Sequence, residues 1–134
     1  SLEAKENKLL ESQPQILFKH KDLQQKQNDI SLQVRFNHAV LLLQNKKYYS
    51  AIKLFKQTQQ SIKIPSFLKI GIAWYKLGSS NNAYLYLKKI FDVKEAITQD
   101  PYSYMSATYY LYKITHDKKY MQEIIKISKK QKRL

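Results

Sequence analysis

The chain has 134 residues and contains only 2 glycines, 3 prolines and no cysteine. Tight β-hairpins need Gly, Asn or Pro in their turns, so this composition excludes an all-β sandwich or barrel and favours helices. The lack of cysteine excludes disulfides, thiolate zinc sites and a cysteine nucleophile. With 43% hydrophobic residues, the chain has enough apolar side chains for the core of one domain.

The net charge is strongly positive at +14, and 22 of the 24 basic residues are lysine. Residues 31–65 contain six basic and no acidic residues, and residues 101–134 contain eight basic and two acidic ones. A basic surface favours an acidic protein or an anionic polymer as partner. Eleven tyrosines leave nucleic acid as an alternative. Bidentate contacts to phosphate or guanine favour arginine, so this alternative is the weaker one.

The chain contains no apolar run near the ~18 residues needed to span a bilayer. Its first five residues also lack the apolar core of a signal peptide. We therefore expect a soluble segment with no transmembrane helix. Because the chain does not begin with Met, we expect a processed product or an excerpt of a longer protein, so that any anchor or signal would lie outside it.

The N-terminal residues 1–28 are rich in Lys, Glu and Gln and predict a helical extension or linker, broken near Pro14. From Asp29 onward, apolar residues recur at the spacing of an amphipathic helix. Asp29 or Ser31 is predicted to cap the start of this helix, which is expected to end near Asn45.

Three helical hairpins in series are predicted for residues 29–134. Their approximate bounds are residues 30–64, 65–99 and 100–130. The second helix of the first hairpin is expected to stop before Pro65, which itself lies in the first turn of the next helix. Gly78 is predicted to end that helix. Asp100 followed by Pro101 is typical of a cap and a first helical residue, and predicts the start of the third hairpin.

Residues at matching positions of the hairpins recur at fixed offsets. An offset of 32 separates Ala39 from Gly71, Ala51 from Ala83, and Phe55 from Leu87. Between the second and third hairpins the offset is 36 residues for the first helix and 40 for the second helix. This difference of four residues predicts that the first helix of the third hairpin is about one turn longer than that of the second. The small residues at these positions permit close helix contact. Because one hairpin cannot bury its apolar face alone, we expect the hairpins to stack.

These residues resemble the tetratricopeptide repeat (TPR). The second hairpin reads Phe67-x2-Ile70-Gly71-x2-Trp74, then Gly78 and Ala83-x3-Leu87. The first keeps Ala39, Tyr48 and Ala51-x3-Phe55, and the third keeps Ala107, Tyr110 and Tyr120 but has Glu123 at a small-residue position. The resemblance implies an all-α fold of about three TPR-like units stacked in a right-handed α-solenoid. An irregular helical bundle is the alternative.

The resemblance also implies an inner groove lined by the first helix of each hairpin. The residues at the matching positions are apolar or aromatic, and they are Phe36, Val40, Leu43, Leu68, Ile72 and Tyr75. Several family members hold a ligand's terminal carboxylate there with Lys and Asn, which this groove lacks, so we expect an apolar helix or segment instead. Alternatively, the groove is filled by the N-terminal stretch or by helices outside this chain. A basic rim is predicted at Lys129, Lys130, Lys132 and Arg133.

The sequence contains no catalytic constellation: His20, His38 and His116 stand apart, with no carboxylate at metal-ligand spacing. We expect no enzyme activity, metal or cofactor. The hypothesis is a protein-binding scaffold that uses the groove and the rim, with homo- or hetero-oligomers formed through the repeats. By resemblance, the settings are the periplasmic repeat proteins of bacterial flagellar motors or type III secretion chaperones, although such chaperones tend to be acidic. A nucleic-acid-binding helical-repeat domain is the alternative function.

Overall fold

The computed structural model describes Lys5 and residues 14–132. Within these residues the chain forms seven helices and no strand, so the prediction of an all-α fold is confirmed. The helices are α1 Pro14–Gln44, α2 Tyr48–Lys56, α3 Lys63–Lys76, α4 Ser80–Phe91, α5 Ala96–Gln99, α6 Pro101–Thr115 and α7 Lys118–Lys132. The chain divides into two compact units, Ser1–Val34 and Arg35–Leu134.

Helix α1 continues through the position where the sequence predicted a capped start, so that prediction is wrong. The Asp29 carboxylate accepts a hydrogen bond from the Gln25 side chain at 3.0 Å, one turn earlier, and caps nothing. Lys26 and Asp22 form an ion pair at 3.3 Å with the same spacing. Pairs four residues apart stabilise an uninterrupted helix. Pro14 is the first residue of α1, where a proline is tolerated.

The predicted start of α6 and the predicted end of α3 are confirmed, and both are set by local capping residues. The Asp100 carboxylate accepts hydrogen bonds from the Ser103 amide at 3.1 Å and from its hydroxyl at 2.7 Å, and Pro101 is the first residue of α6. Gly78 follows α3 with φ +83°, a left-handed conformation that costs glycine little. Pro65 lies in the first turn of α3.

Two lengths differ from those the sequence predicted. Helix α2 ends at Lys56, because the hydroxyl of buried Thr58 donates to the Phe55 carbonyl at 2.9 Å and competes with the helical pattern there. Helix α6 has 15 residues against 14 in α3, so the prediction of an extra turn is wrong. The four residues of α5, which the sequence did not predict, lie in the connection before α6, where the offset rises from 32 to 36.

The core of the second unit consists of two clusters that use the repeated positions. One surrounds Ala51 and Phe55, and the other surrounds Leu87 and Leu111. The small residues at the repeated positions are all buried: Ala39, Ala51, Gly71, Ala83 and Ala107. A Cβ added at Gly71 would lie 2.7 Å from Leu87 Cγ, so the glycine allows α4 to approach α3.

Successive helices of the second unit pack on one another. Contacts join α2 to α3, α3 to α4, α4 to α6, and α6 to α7. Helix α3 also contacts α6 directly, and α5 packs on α6. Helices α3 and α6 are therefore neighbours. They are the first helices of the second and third predicted hairpins.

Candidate functional site

The three predicted groove residues of α1 contribute to the core. Phe36 lies edge-on to Phe55, with ring centroids 5.3 Å apart. Val40 and Leu43 are half-buried and pack against the same cluster. These three side chains therefore offer only part of their surface to a partner.

The three predicted groove residues of α3 differ from one another. Leu68 is only 2% exposed and belongs to the core, so it has no surface to offer. Tyr75 is half-buried, with its ring edge-on to Tyr110 at 5.2 Å. Ile72 is half-buried and forms part of the wall of an open hollow.

This hollow, which we call the tyrosine hollow, has a volume of about 490 Å³. Three helices line it, with Ile72 from α3, Ile124 from α7 and five residues from α6. Those five are Tyr102, Met105, Ser106, Tyr109 and Tyr110. None of the lining side chains is charged, and the volume lies in the range of protein binding pockets. The hollow is open to solvent, so it suits side chains of a docked segment.

One face of α6 supplies most of the lining of the hollow. Its lining residues Tyr102, Met105, Ser106 and Tyr109 follow the spacing i, i+3, i+4, i+7, which places them on one face of the helix. The residues 36 positions after Ile72 and Tyr75, where the repeat offset would continue the groove, are Thr108 and Leu111, and both are buried. Of the seven lining residues, only Ile72 was predicted as a site residue. The other six were missed, although the spacing of these four was a readable signal.

A lysine lies beside the aromatic rings at the edge of the hollow. Lys113 Nζ is 5.4 Å from the ring centroid of Tyr109 and 5.5 Å from that of Tyr75. Electrostatic interaction with Tyr109, and then with Tyr75, raises the pKa of the Lys113 amine above its ordinary value. The amine is therefore a cation at neutral pH, held over two ring faces.

Glu123, which stands at the small-residue position of the third hairpin, has a structural contact. The buried Tyr104 hydroxyl donates a hydrogen bond to Glu123 Oε1 at 3.2 Å, joining α6 to α7. Burial, followed by the negative charge of Glu123 and this hydrogen bond, raises the pKa of Tyr104 to about 12. Tyr104 therefore stays protonated at neutral pH. Glu123 accepts its hydrogen bond and directly precedes Ile124, which lines the hollow.

The predicted basic rim occupies the last turns of α7. Lys129, Lys130 and Lys132 are exposed, and no ion pair within residues 14–132 involves them. Arg133 lies outside the described residues. The three lysines follow Ile124 by five to eight positions, or about 7–12 Å along the helix axis. The positive charge of these lysines therefore lies on α7, beyond the residue of that helix that lines the hollow.

No group of three or more His, Cys, Asp or Glu side chains among the described residues is placed to hold a metal ion. No described helix combines the length and the apolar character required to cross a membrane. Comparison of the chain with protein-family models, curated proteins and solved structures found no match.

Proposed function

We propose that this chain is a non-catalytic protein-binding module made of TPR-like hairpins stacked in a right-handed α-solenoid. The sequence of helix contacts supports this arrangement, since α2 packs on α3, α3 on α4, α4 on α6 and α6 on α7. The contact between α3 and α6, the first helices of neighbouring hairpins, also supports it. Buried small residues at an offset of 32 supply the repeated close contacts.

The tyrosine hollow is the proposed docking site, and its composition is the observation that carries the proposal. Tyrosine and methionine are enriched in protein interfaces, and exposed apolar surface marks interaction sites. Tyr102 is 72% exposed at the mouth of the hollow. With Lys113 at the edge and lysines further along α7, the site fits a segment that presents apolar side chains followed by acidic ones.

The proposed setting is a periplasmic assembly of a bacterial flagellar motor, and it rests on the resemblance to the repeat proteins found there. The +14 charge argues against a secretion chaperone, since those tend to be acidic. Binding of single-stranded nucleic acid is the second candidate, because Lys113 over two tyrosine faces could pair a phosphate with stacked bases.

Site-specific photo-cross-linking tests the proposal. A benzophenone amino acid replaces Tyr102 at the hollow or, as the matched control, Tyr49 on α2, which is 69% exposed. Both proteins are cross-linked in extracts of the native source, and adducts are identified by mass spectrometry. We expect a protein adduct from position 102 that position 49 does not give.

The identified protein is then purified and titrated against variants of the hollow. We expect Ile72→Glu and Met105→Glu to weaken binding by about 30-fold or more, as for central interface residues. Leu85→Glu on α4, where Leu85 is also exposed, serves as control and leaves binding unchanged. Equal affinity for hollow variants and control overturns the proposal, and a nucleic acid adduct whose binding falls steeply with salt favours the second candidate.

A further inference from the structure

The part of α1 that belongs to the first unit carries an exposed apolar stripe. Leu23, Ile30 and Val34 are 59%, 64% and 60% exposed, among mostly polar neighbours. At 100° per residue, these three side chains lie within about 40° of one another around the helix. Half-buried Leu32 lies on the opposite side. We call Leu23, Ile30 and Val34 the α1 stripe.

The α1 stripe follows the seven-residue period of a coiled coil. Within residues 14–34 of α1, the d positions of this heptad are Ile16, Leu23 and Ile30. The a positions within residues 20–34 are His20, Gln27 and Val34. An exact period of seven is what keeps one helix face against a supercoiled partner helix. The pattern thus indicates a second helix as the occupant of this stripe.

We propose that residues 19–34 of α1 pair in parallel and in register with the same residues of a second copy of this chain. In that arrangement Leu23, Ile30 and Val34 each meet their own counterpart. Gln27 also meets its counterpart at an a position, and two amides facing each other can each donate and accept a hydrogen bond. A polar residue at an a position fixes the register of such pairs. The stripe is therefore complementary to itself.

The side chains within and beside the stripe favour the parallel orientation. Lys19 and Lys26 occupy g positions, and Gln24 and Ser31 occupy e positions. In a parallel pair each g residue faces an e residue of the other helix, so lysine meets a neutral side chain. An antiparallel pair sets a positions against d positions, so with Leu23 opposite Val34 it would leave the Gln27 amide against Ile30. Lys26 is also paired within its own helix to Asp22 at 3.3 Å.

A second copy of this chain can cover the stripe, so no foreign helix with acidic residues is needed. No acidic residue flanks the stripe at an e or g position, yet a foreign helix would gain most by presenting acids to Lys19 and Lys26. The two possibilities respond to salt in opposite ways. Two copies that each carry +14 repel, so added salt strengthens their pairing, whereas pairing with an acidic helix weakens. The inference does not rest on the tyrosine hollow.

Sedimentation equilibrium of the full chain tests the pairing. We expect the mass to rise from 16.0 kDa towards twice that value as concentration increases to about 1 mM, and to rise earlier at higher salt. Leu23→Glu with Ile30→Glu should weaken the dimer by about 100-fold or more, since it would bury charges. The control is Lys21→Gln with Asn28→Glu, which changes the net charge equally at exposed b positions and should leave the dimer intact.

Disulfide formation tests the orientation, because the natural chain has no cysteine. In separate proteins, His20→Cys and Val34→Cys should each form a disulfide dimer under mild oxidation, and Gln25→Cys on the outer face should not. An antiparallel pair sets a positions against d positions, so it would instead give a disulfide only when the proteins with Leu23→Cys and Val34→Cys are mixed. A monomer at every concentration, a dimer that survives the two glutamates, or disulfides only in the mixture would overturn the proposal.

Discussion

Residues 19–34 of α1 and the hairpin formed by α3 and α4 are both helical, but different contacts stabilise them. In the α1 stretch, Lys26 forms an ion pair with Asp22 and the Gln25 amide donates a hydrogen bond to Asp29. The partners are four residues apart in both cases, and all four side chains are exposed. In the hairpin, Leu87 is fully buried against α3. One stretch is stabilised along its own surface, and the other is stabilised by packing between helices.

Because of this difference, leucine has two different roles in the same chain. A leucine buried between helices stabilises the folded state, because its removal leaves a cavity. A leucine exposed on a polar helix contributes little to the fold of a single chain, and its apolar surface is available for association. Exposure, and not residue type, therefore separates the folding residues from the candidate binding residues.

The sharpest test of the comparison is to truncate a leucine in each region. Leu87→Ala should lower the free energy of unfolding by about 3 kcal/mol, because it opens a cavity in the core. Leu23→Ala should change it by less than about 0.5 kcal/mol. Leu85→Ala, on the exposed side of α4, is the control within the hairpin. Urea unfolding at concentrations where the chain is monomeric measures all three, and equal losses at positions 87 and 23 would contradict the comparison.

A smaller effect is expected where α3 and α4 approach most closely. In Gly71→Ala the added methyl group would lie 2.7 Å from Leu87 Cγ, and overpacking of this kind costs about 1–3 kcal/mol. Part of that cost is offset by the better helix propensity of alanine. Combining Gly71→Ala with Leu87→Ala should cost less than the sum of the two changes, by about 0.5 kcal/mol or more. Additive losses in the urea midpoints would show that this contact does not limit the approach.

The smallest effect on stability is expected at two equivalent positions of the repeat, just after the ends of α1 and α3. Gly78 and Lys46 are 32 positions apart, and both adopt positive φ, at +83° and +62°. Gly78→Ala should lose about 1 kcal/mol, because a Cβ is disfavoured in this conformation. Lys46→Gly should gain up to about 1 kcal/mol for the same reason.

Lys47→Gly is the matched control for the change at Lys46. Lys47 has φ −89°, so glycine there relieves no strain and only adds freedom to the unfolded chain. Thermal unfolding followed by circular dichroism should therefore rank Lys46→Gly above the natural chain and Lys47→Gly below it. A gain at both positions would show that the left-handed conformation is not the cause.

Predictions from the sequence were accurate where the cause lies within a few residues. Asp100 caps α6 through the Ser103 amide, and Gly78 ends α3 in a left-handed conformation. They were wrong at Asp29, where a residue able to cap a helix instead accepts a hydrogen bond from Gln25 inside a continuous one. The same side chain serves either purpose, so its type alone does not decide between them.

The groove residues show a second limit of sequence reasoning. Leu68 and Ile72 lie one turn apart on α3 and were both predicted to line the groove, yet Leu68 is buried in the core and Ile72 lines the tyrosine hollow. Their exposure depends on α6, which contacts α3 only after folding. Spacing identifies which residues share a helix face, and the packing of distant helices selects the face that stays open.

The sequence by itself determined the helical class, the helix ends set by Asp100 and Gly78, and the close contact at Gly71, because capping and small-residue packing are encoded locally. The tertiary structure alone decided that Tyr102, Met105 and Tyr109 meet Ile72 and Ile124 in one hollow. It also decided that the apolar stripe of α1 stays exposed. The hollow depends on which faces remain uncovered once distant helices of the second unit have packed, and no local pattern contains that information.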